Sequence, residues 1–310
     1  EDIVRRALPA LDVQGALAAM FRALGEDNAV QPPQTLTLFP AQSGDFITYL
    51  GAMAQAKVFG AKLSPYIVTG GRPVVTAWTA LMSMETGQPL MWCDAGLLTT
   101  ERTAGTTALA AGHLAAAGAR HLAIVGSGAI AQAHLRHVAR LRLWESIRVF
   151  SPALPRDRAK QAAIRAIDAR ATFSATIEDC VRDADVVMLC TSSGTPVLPE
   201  GALTRPALVT SISTNVANAH EIDPAWLPDM DVYCDYRRTT PGSAGEMILA
   251  AARHGWSAQR VVGDLPELLC GACPVPTSEK PVFFRSIGLG LEDVAIAYEL
   301  LQHLRTPRDA

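Results

Sequence analysis

Charge of one sign is scarce in this chain. Its 310 residues carry 27 Lys and Arg against 30 Asp and Glu, a formal charge of −3, and no long block of either sign occurs. Phosphate backbones are bound through a basic footprint, so a nucleic-acid polyanion is excluded as the main partner. Charged residues make up only 18% of the chain and mean hydropathy is slightly positive, which excludes intrinsic disorder. Cysteine is sparse too: six in a chain this long do not make a disulfide scaffold. Cys93, Cys180, Cys190 and Cys234 stand among apolar residues, where Cys behaves as a small hydrophobe, and a reducing, cytoplasmic setting is expected. A strongly apolar run is also missing. The long uncharged stretch at residues 103–119 is mostly Ala, Gly and Thr with His113 inside it, and reads as a tightly packed helix rather than a membrane span. No charged-then-apolar leader follows Glu1, so no targeting peptide is expected. Internal repeats, low-complexity segments and a Pro/Gly/Ser linker are absent as well.

What is present fits two domains with real cores, since 49% of the residues are apolar and a domain takes roughly 150 residues. The first thirty residues read as helix, with Leu11, Ala16, Ala19, Met20 and Leu24 at helical spacing and Asp12 as an N-cap. Pro32 and Pro33 break that pattern. Strand-like runs follow at 35–39, 46–50, 58–63, 74–84 and 89–93, the last two joined by a hairpin turn at Glu85-Thr86-Gly87-Gln88. The first domain is therefore expected to be mostly antiparallel. From about residue 104 helix and strand alternate. An Ala-rich helix leads to a buried strand at 121–125, then a helix to about Leu143, and a second strand at 147–150. Further strands are expected at 171–174, 185–190, 207–212, 231–234 and 281–285, and a last helix at 291–304. Such alternation implies a parallel sheet covered on both faces.

The main chemical signal is Gly126-Ser127-Gly128-Ala129-Ile130-Ala131, placed after a strand and opening a helix. The first Gly permits the tight turn, the second lets backbone approach a pyrophosphate, and Ala131 lets helix pack on strand. Free N–H groups at the helix start then face the phosphates. This is a Rossmann-type dinucleotide site. The second strand ends at Ser151, where NAD binding would favour a carboxylate for the ribose 2′-OH; Arg156 and Arg158 follow, so the reading leans to NADP, with NAD open. Thr191 and Ser213, after the strands ending at 190 and 212, complete the candidate cofactor-binding set with Gly126, Ser127, Gly128, Ala129, Ile130, Ser151 and Arg156. Cys270-Gly271-Ala272-Cys273 is a lone C-x-x-C without a second ligand pair, and reads as small residues in a loop. His134 and His137 share a helix face without an adjacent acid and read as surface residues, so no metal is expected. Residues 99–107 gather Glu101, Arg102 and five Thr at what reads as the mouth of a helix.

Together these segments resemble the ornithine cyclodeaminase/mu-crystallin family. The likeness rests on five blocks in order: Gly60-Ala61-Lys62; Thr86-Gly87-Gln88-Pro89-Leu90; Leu98-Thr99-Thr100-Glu101-Arg102-Thr103-Ala104; Gly126-Ser127-Gly128-Ala129; and Phe284-Arg285-Ser286-Ile287-Gly288 with Glu292-Asp293. The resemblance implies an α/β protein: a Rossmann-type doubly wound parallel sheet domain, residues 104–290, plus a mixed α+β dimerisation and substrate domain, residues 1–103 with 291–310. It implies a homodimer in the cytoplasm, a small amino or imino acid as substrate, and no nucleic-acid or membrane partner. By position, Lys62 and Arg102 hold the substrate carboxylate; an Arg fork matches it with two parallel bonds, and Lys62 can relay a proton. Two departures stand out. At Pro33-Gln34-Thr35 the cyclodeaminase has an Arg, so Thr35 marks a missing carboxylate ligand. Asn215 stands where the cyclodeaminase has its activating acid, and Asn cannot act as a base; Glu221 reads as a helix-start acid. The expectation is an NAD(P)-dependent oxidoreductase moving hydride between nicotinamide and the α-carbon of an amino or imino acid. True ornithine cyclodeamination and a non-catalytic NADPH-dependent binding protein are the alternatives.

Overall fold

The computed structural model describes residues 1–214 and 218–306. It divides into two compact units, Glu1–Arg102 with Gly288–Ala310, and Thr103–Ile287. The first unit opens with α1 (Asp2–Ala7) and α2 (Val13–Gly25). The expected single helix is two, because Pro9 has no N–H to carry the ladder and the chain tightens into a 3₁₀ turn there. Asp12 caps α2 as expected, accepting from Gly15 N at 3.0 Å. Val13, Leu17, Met20, Phe21 and Leu24 form its buried face.

Strands β1 (Ala29–Val30), β2 (Thr35–Leu38), β3 (Gly44–Met53), β4 (Val58–Ile67), β5 (Val74–Val75), β6 (Trp78–Ser83) and β7 (Pro89–Asp94) form one antiparallel sheet. Their order is β1-β3-β4-β6-β7, with β2 also on β3 and β5 also on β4. The run expected at 74–84 is split at residues 76 and 77, opposite Pro65, which cannot donate to the ladder. The β6–β7 turn is as expected, and Gly87 supplies its positive φ of 69°. Next, α3 (Gly96–Leu114) starts where the Gly96 N–H meets Asp94 Oδ1 at 2.9 Å. Residues 99–107 therefore lie inside a helix and not at its mouth.

The second unit holds β8 (His121–Val125), α4 (Ala129–Val138), β9 (Ser146–Phe150), α5 (Arg158–Ile167), β10 (Ala171–Phe173), α6 (Ile177–Val181), β11 (Val186–Leu189), β12 (Leu208–Ser211), β13 (Asp231–Cys234), α7 (Gly245–Arg253), β14 (Val261–Asp264), α8 (Leu265–Cys270) and β15 (Val282–Arg285). The sheet is parallel throughout, in the order β10-β9-β8-β11-β12-β15-β13-β14. Its central strands β11 and β12 are buried along their whole length, as a sheet covered on both faces requires. Helix α4 ends five residues short of the expected Leu143; the Trp144 indole N–H caps the Val138 carbonyl at 2.9 Å.

The chain then returns to the first unit through α9 (Gly290–Arg305), which lies against the antiparallel sheet. Gly51 and Gly60 make that approach possible. A Cβ on Gly51 would sit 2.7 Å from Leu291 Cα, and one on Gly60 would sit 3.2 Å from Val294 Cγ2. Among the described residues no helix is long and apolar enough to cross a membrane.

Candidate active site

In the parallel sheet the chain runs β8, β9, β10 to one side and continues at β11 and β12 on the other. The strand order reverses between β8 and β11, and ligands of such sheets bind beyond the carboxyl ends of the strands at that reversal. The candidate cofactor residues meet on this rim. Gly126 follows β8, Ser151 follows β9, and Thr191 and Ser213 lie two residues beyond β11 and β12. Gly126 has φ 128°, and a Cβ there would meet the Cys190 carbonyl at 2.4 Å. Gly128 has open space around it and caps α4 without a side chain, so the first amides of a ten-residue helix are left for a ligand. Ser127 Oγ and Ser151 Oγ are 2.9 Å apart. Arg156 is exposed beyond them. Open space beside Gly128, at a helix N-terminus with bare amides, fits the pyrophosphate of a dinucleotide. Gly126, Ser127, Gly128, Ala129 and Ile130 would hold it, with Ser151 at the ribose edge.

Glu221 is the acid that sequence reasoning misplaced. The short 3₁₀ helix at Pro224–Asp229 is capped by Asp223, not by Glu221. Glu221 is fully buried instead and ties the rim together. Its Oε1 accepts from Thr191 N at 2.9 Å and Thr191 Oγ1 at 2.7 Å. Its Oε2 accepts from Ser211 Oγ at 2.8 Å, Ile212 N at 3.0 Å and Ser213 N at 3.1 Å. Buried Arg285 braces the same strands, donating to Ser211 Oγ at 3.3 Å and the Ser213 carbonyl at 2.5 Å, and pairs with Glu246 at 2.7 Å. Burial pushes the Glu246 carboxyl above its ordinary range, against the pull of Arg285. These partners come from separate strands, and no local spacing announces them.

In the first unit, four charged side chains are buried together. Lys62 on β4 pairs with Asp293 at 2.8 Å, and Arg102 on α3 pairs with Asp293 at 3.1 Å and Glu292 at 3.0 Å, both acids belonging to the first turn of α9. Two cations and two anions neutralise each other, which is what allows charges this deep. Lys62 Nζ also lies 4.1 Å from the centre of the Tyr49 ring, directly across the ladder. Gly288, with φ 77°, lies where any Cβ would come within 2.2 Å of Arg102 Nη1, so the guanidinium packs flat on bare backbone. Burial draws the Lys62 ammonium down to about 8, although Asp293 opposes it. Burial also works against the Arg102 charge, but Asp293 and Glu292 outweigh it and keep the guanidinium protonated. The quartet thus contains a fixed cation and a second one able to exchange a proton near neutral pH. Sequence reasoning gave Lys62 and Arg102 a carboxylate-binding role; it gave Glu292 and Asp293 only as part of a family block, with no role.

The other expectations separate. Thr35 pairs with Thr48, on the sheet face opposite Lys62, whereas half-buried Gln34 precedes β2 in register with Tyr49. Asn215 lies outside the described residues. His134 is buried, its Nδ1 2.8 Å from the Ile130 carbonyl, and so is not a surface residue; α4 lays that face on the sheet. Among the described residues no group of His, Cys, Asp and Glu could hold a metal ion.

Comparison with known proteins agrees with this geometry. The family model described as "Ornithine cyclodeaminase/mu-crystallin family" matches residues 3–305. An NAD(P)H-dependent anabolic L-arginine dehydrogenase of Pseudomonas aeruginosa is 55% identical over 94% of this chain and 92% of its own length. A probable ornithine cyclodeaminase from Bordetella pertussis Tohama I is similar in structure, with TM-score 0.87 and 29% identity over 98% of this chain and 95% of that one. The Thermococcus litoralis Δ1-pyrroline-2-carboxylate reductase, solved with NADH and L-proline, shares the fold at TM-score 0.86 and 18% identity, covering 94% of this chain and 92% of that one. With a parallel-sheet rim that fits a dinucleotide in one unit and a buried Lys, Arg, Glu and Asp quartet in the other, the chain belongs to the ornithine cyclodeaminase/mu-crystallin family and is an NAD(P)-dependent oxidoreductase.

Proposed function

We propose that this enzyme reduces a 2-imino acid with a basic side chain to the L-amino acid, L-arginine being the first product to test. The observation that carries this is the Lys62–Arg102–Glu292–Asp293 quartet. Arg102 uses Nε and Nη1 on the two acids, which leaves Nη2 and two Lys62 N–H groups to grip a substrate carboxylate. When bound, NAD(P)H supplies the hydride that reduces the imine carbon. Lys62 Nζ, drawn down to about 8, holds the proton that the reduced nitrogen needs, and takes it back when the amino acid is oxidised. Tyr49 and the buried acids keep water from that ammonium. The basic side chain is suggested by the relative from Pseudomonas aeruginosa, named for L-arginine. Ser151 and Arg156 favour NADP over NAD, since the ribose edge has no acid and an exposed guanidinium stands nearby.

Residues 104–290 act as the dinucleotide-binding domain, and residues 1–103 with 291–310 bind substrate and pair two copies in the cytoplasm. Support for pairing lies on the sheet face away from α9. It carries Leu50, Phe59, Leu63, Trp78 and Trp92, all exposed, with Trp78 and Trp92 stacked at 5.9 Å. A patch of this kind marks an interaction surface. The test is the purified protein with 2-keto acids plus ammonia, which form the imine in solution, and either reduced cofactor. NADPH oxidation with 2-oxo-5-guanidinovalerate and ammonia, yielding L-arginine, is expected. Release of proline and ammonia from ornithine without any such reduction would overturn the reading.

A further inference from the structure

The sheet face that carries Tyr49 and Lys62 does not end with them. Side chains alternate along a strand, so Ile47 and Asp45 of β3 share that face, with Leu36 and Ser64 on the rung of Ile47 and Leu38 and Tyr66 on the rung of Asp45. Helix α9 covers the sheet at residues 49–51, where Gly290 and Leu291 lie against the β3 backbone. Past that point the face opens: Leu36, Leu38 and Tyr66 are exposed. A strip of apolar and neutral side chains thus leads away from the charged quartet, and one acid stands on it.

That acid has nothing to do in the described fold. Asp45 and Asp94 are the only carboxylates in β1–β7. Asp94 accepts the Gly96 N–H that starts α3. Asp45 is half buried and makes no hydrogen bond or ion pair among the described residues. A partly desolvated carboxylate without a partner is unfavourable by itself and well suited to a cationic ligand.

We propose that Asp45 receives the cationic end of the substrate side chain and sets the enzyme's preference for long basic amino acids. This rests on the carboxylate-binding role of Lys62 and Arg102 given above. The spacing fits. Four residues of antiparallel strand separate Asp45 from Tyr49, about 13 Å along β3. Lys62 Nζ stays on the Tyr49 rung, 4.1 Å from the ring centre. An extended arginine measures about 7–8 Å from carboxylate carbon to guanidinium carbon; with its outer atoms and a hydrogen bond of about 2.8 Å at each end it spans about 14 Å. Ornithine ends about 2.4 Å sooner. A planar guanidinium also offers two parallel N–H groups to the carboxylate, which an ammonium does not.

The test compares L-arginine with L-citrulline, its neutral isostere, on the wild type and on Asp45→Asn and Asp45→Ser. Binding is measured by titrating each amino acid into protein saturated with NADPH, a pair that cannot react; turnover is measured with NADP⁺. The wild type is expected to bind and oxidise L-arginine at least tenfold better than L-citrulline. Both variants should reduce that ratio to about one, by weakening L-arginine and leaving L-citrulline and the NADPH affinity within twofold. Variants that keep the wild-type arginine-to-citrulline ratio would overturn the role of Asp45 while leaving the basic-substrate reading intact. A wild type that prefers citrulline or short neutral amino acids would overturn that reading, and the Asp45 assignment with it.

Discussion

Lys62 is the residue on which pH acts. Its ammonium is drawn down to about 8 by burial, with Asp293 opposing. Imine reduction uses the protonated form, so kcat/KM in that direction should fall as pH rises through about 8. Amino-acid oxidation uses the neutral amine, so it should rise through the same range. Asp293→Asn removes the carboxylate that favours the charged form, and both profiles should move to lower pH. Profiles that ignore this substitution would remove Lys62 from proton transfer. Arg102 is different, because its charge is fixed and its shape matters. Arg102→Lys keeps the charge but loses the fork that reaches Glu292 and Asp293 at once. Arg102→Ala leaves two buried acids short of a cation, a loss of about 2–5 kcal/mol, so kcat/KM should drop by about 30-fold or more while NADPH titrates as before. Steady-state kinetics beside a fluorescence titration separate the two effects.

At the scale of elements, the β8–Gly126–α4 unit was legible because local rules suffice. A buried apolar strand, a glycine with φ 128° and a helix with bare N-terminal amides are all written within eighteen residues. The start of α3 was not, since the Gly96 N–H there is held by Asp94, and 99–107 has several Thr that look like caps. Asp293 looks like an ordinary first-turn acid of α9, yet its oxygen is bonded to Arg102 across 191 residues. Glu221 likewise follows a helix-start pattern while its partners sit just beyond the ends of β11 and β12. Local spacing reports the element; it cannot report a partner that only the fold brings near. Cofactor choice belongs to this scale too, because it depends on how β9 ends. Ser151→Asp places a charge at the ribose edge, 2.9 Å from Ser127 by present oxygen positions, and should repel a 2′-phosphate. Arg156→Ala should remove a charge-assisted bond of about 1.5–3 kcal/mol. Each should cut the preference for NADPH over NADH by about tenfold in a binding titration. Equal binding of both cofactors by the unaltered protein would make Arg156 a solvated side chain only.

For the whole molecule, the antiparallel sheet has two faces with different fates. One is closed by α9, whose backbone packs on Gly51 and whose Val294 side chain packs on Gly60. The other presents Leu50, Phe59, Leu63, Trp78 and Trp92 on adjacent strands, with the strands' only outward charge at Asp94. Trp92 remains 58% exposed in the single chain, and isolated apolar side chains of that size are tolerated, but a stacked Trp pair on a largely apolar sheet face is costly to hydrate. A second copy of the same face would remove it from water. Light scattering should therefore give twice the chain mass of 32.9 kDa at micromolar concentration. Leu63→Glu with Trp92→Glu sets two like charges across that symmetric contact, each facing its own image or a neighbour of it. The doubly substituted protein should run as a monomer. Its NADPH affinity should stay within a few fold, since the dinucleotide rim lies on the parallel sheet and draws no residue from these strands. A double variant that still has the doubled mass would place the subunit contact on another surface and leave this face without an occupant.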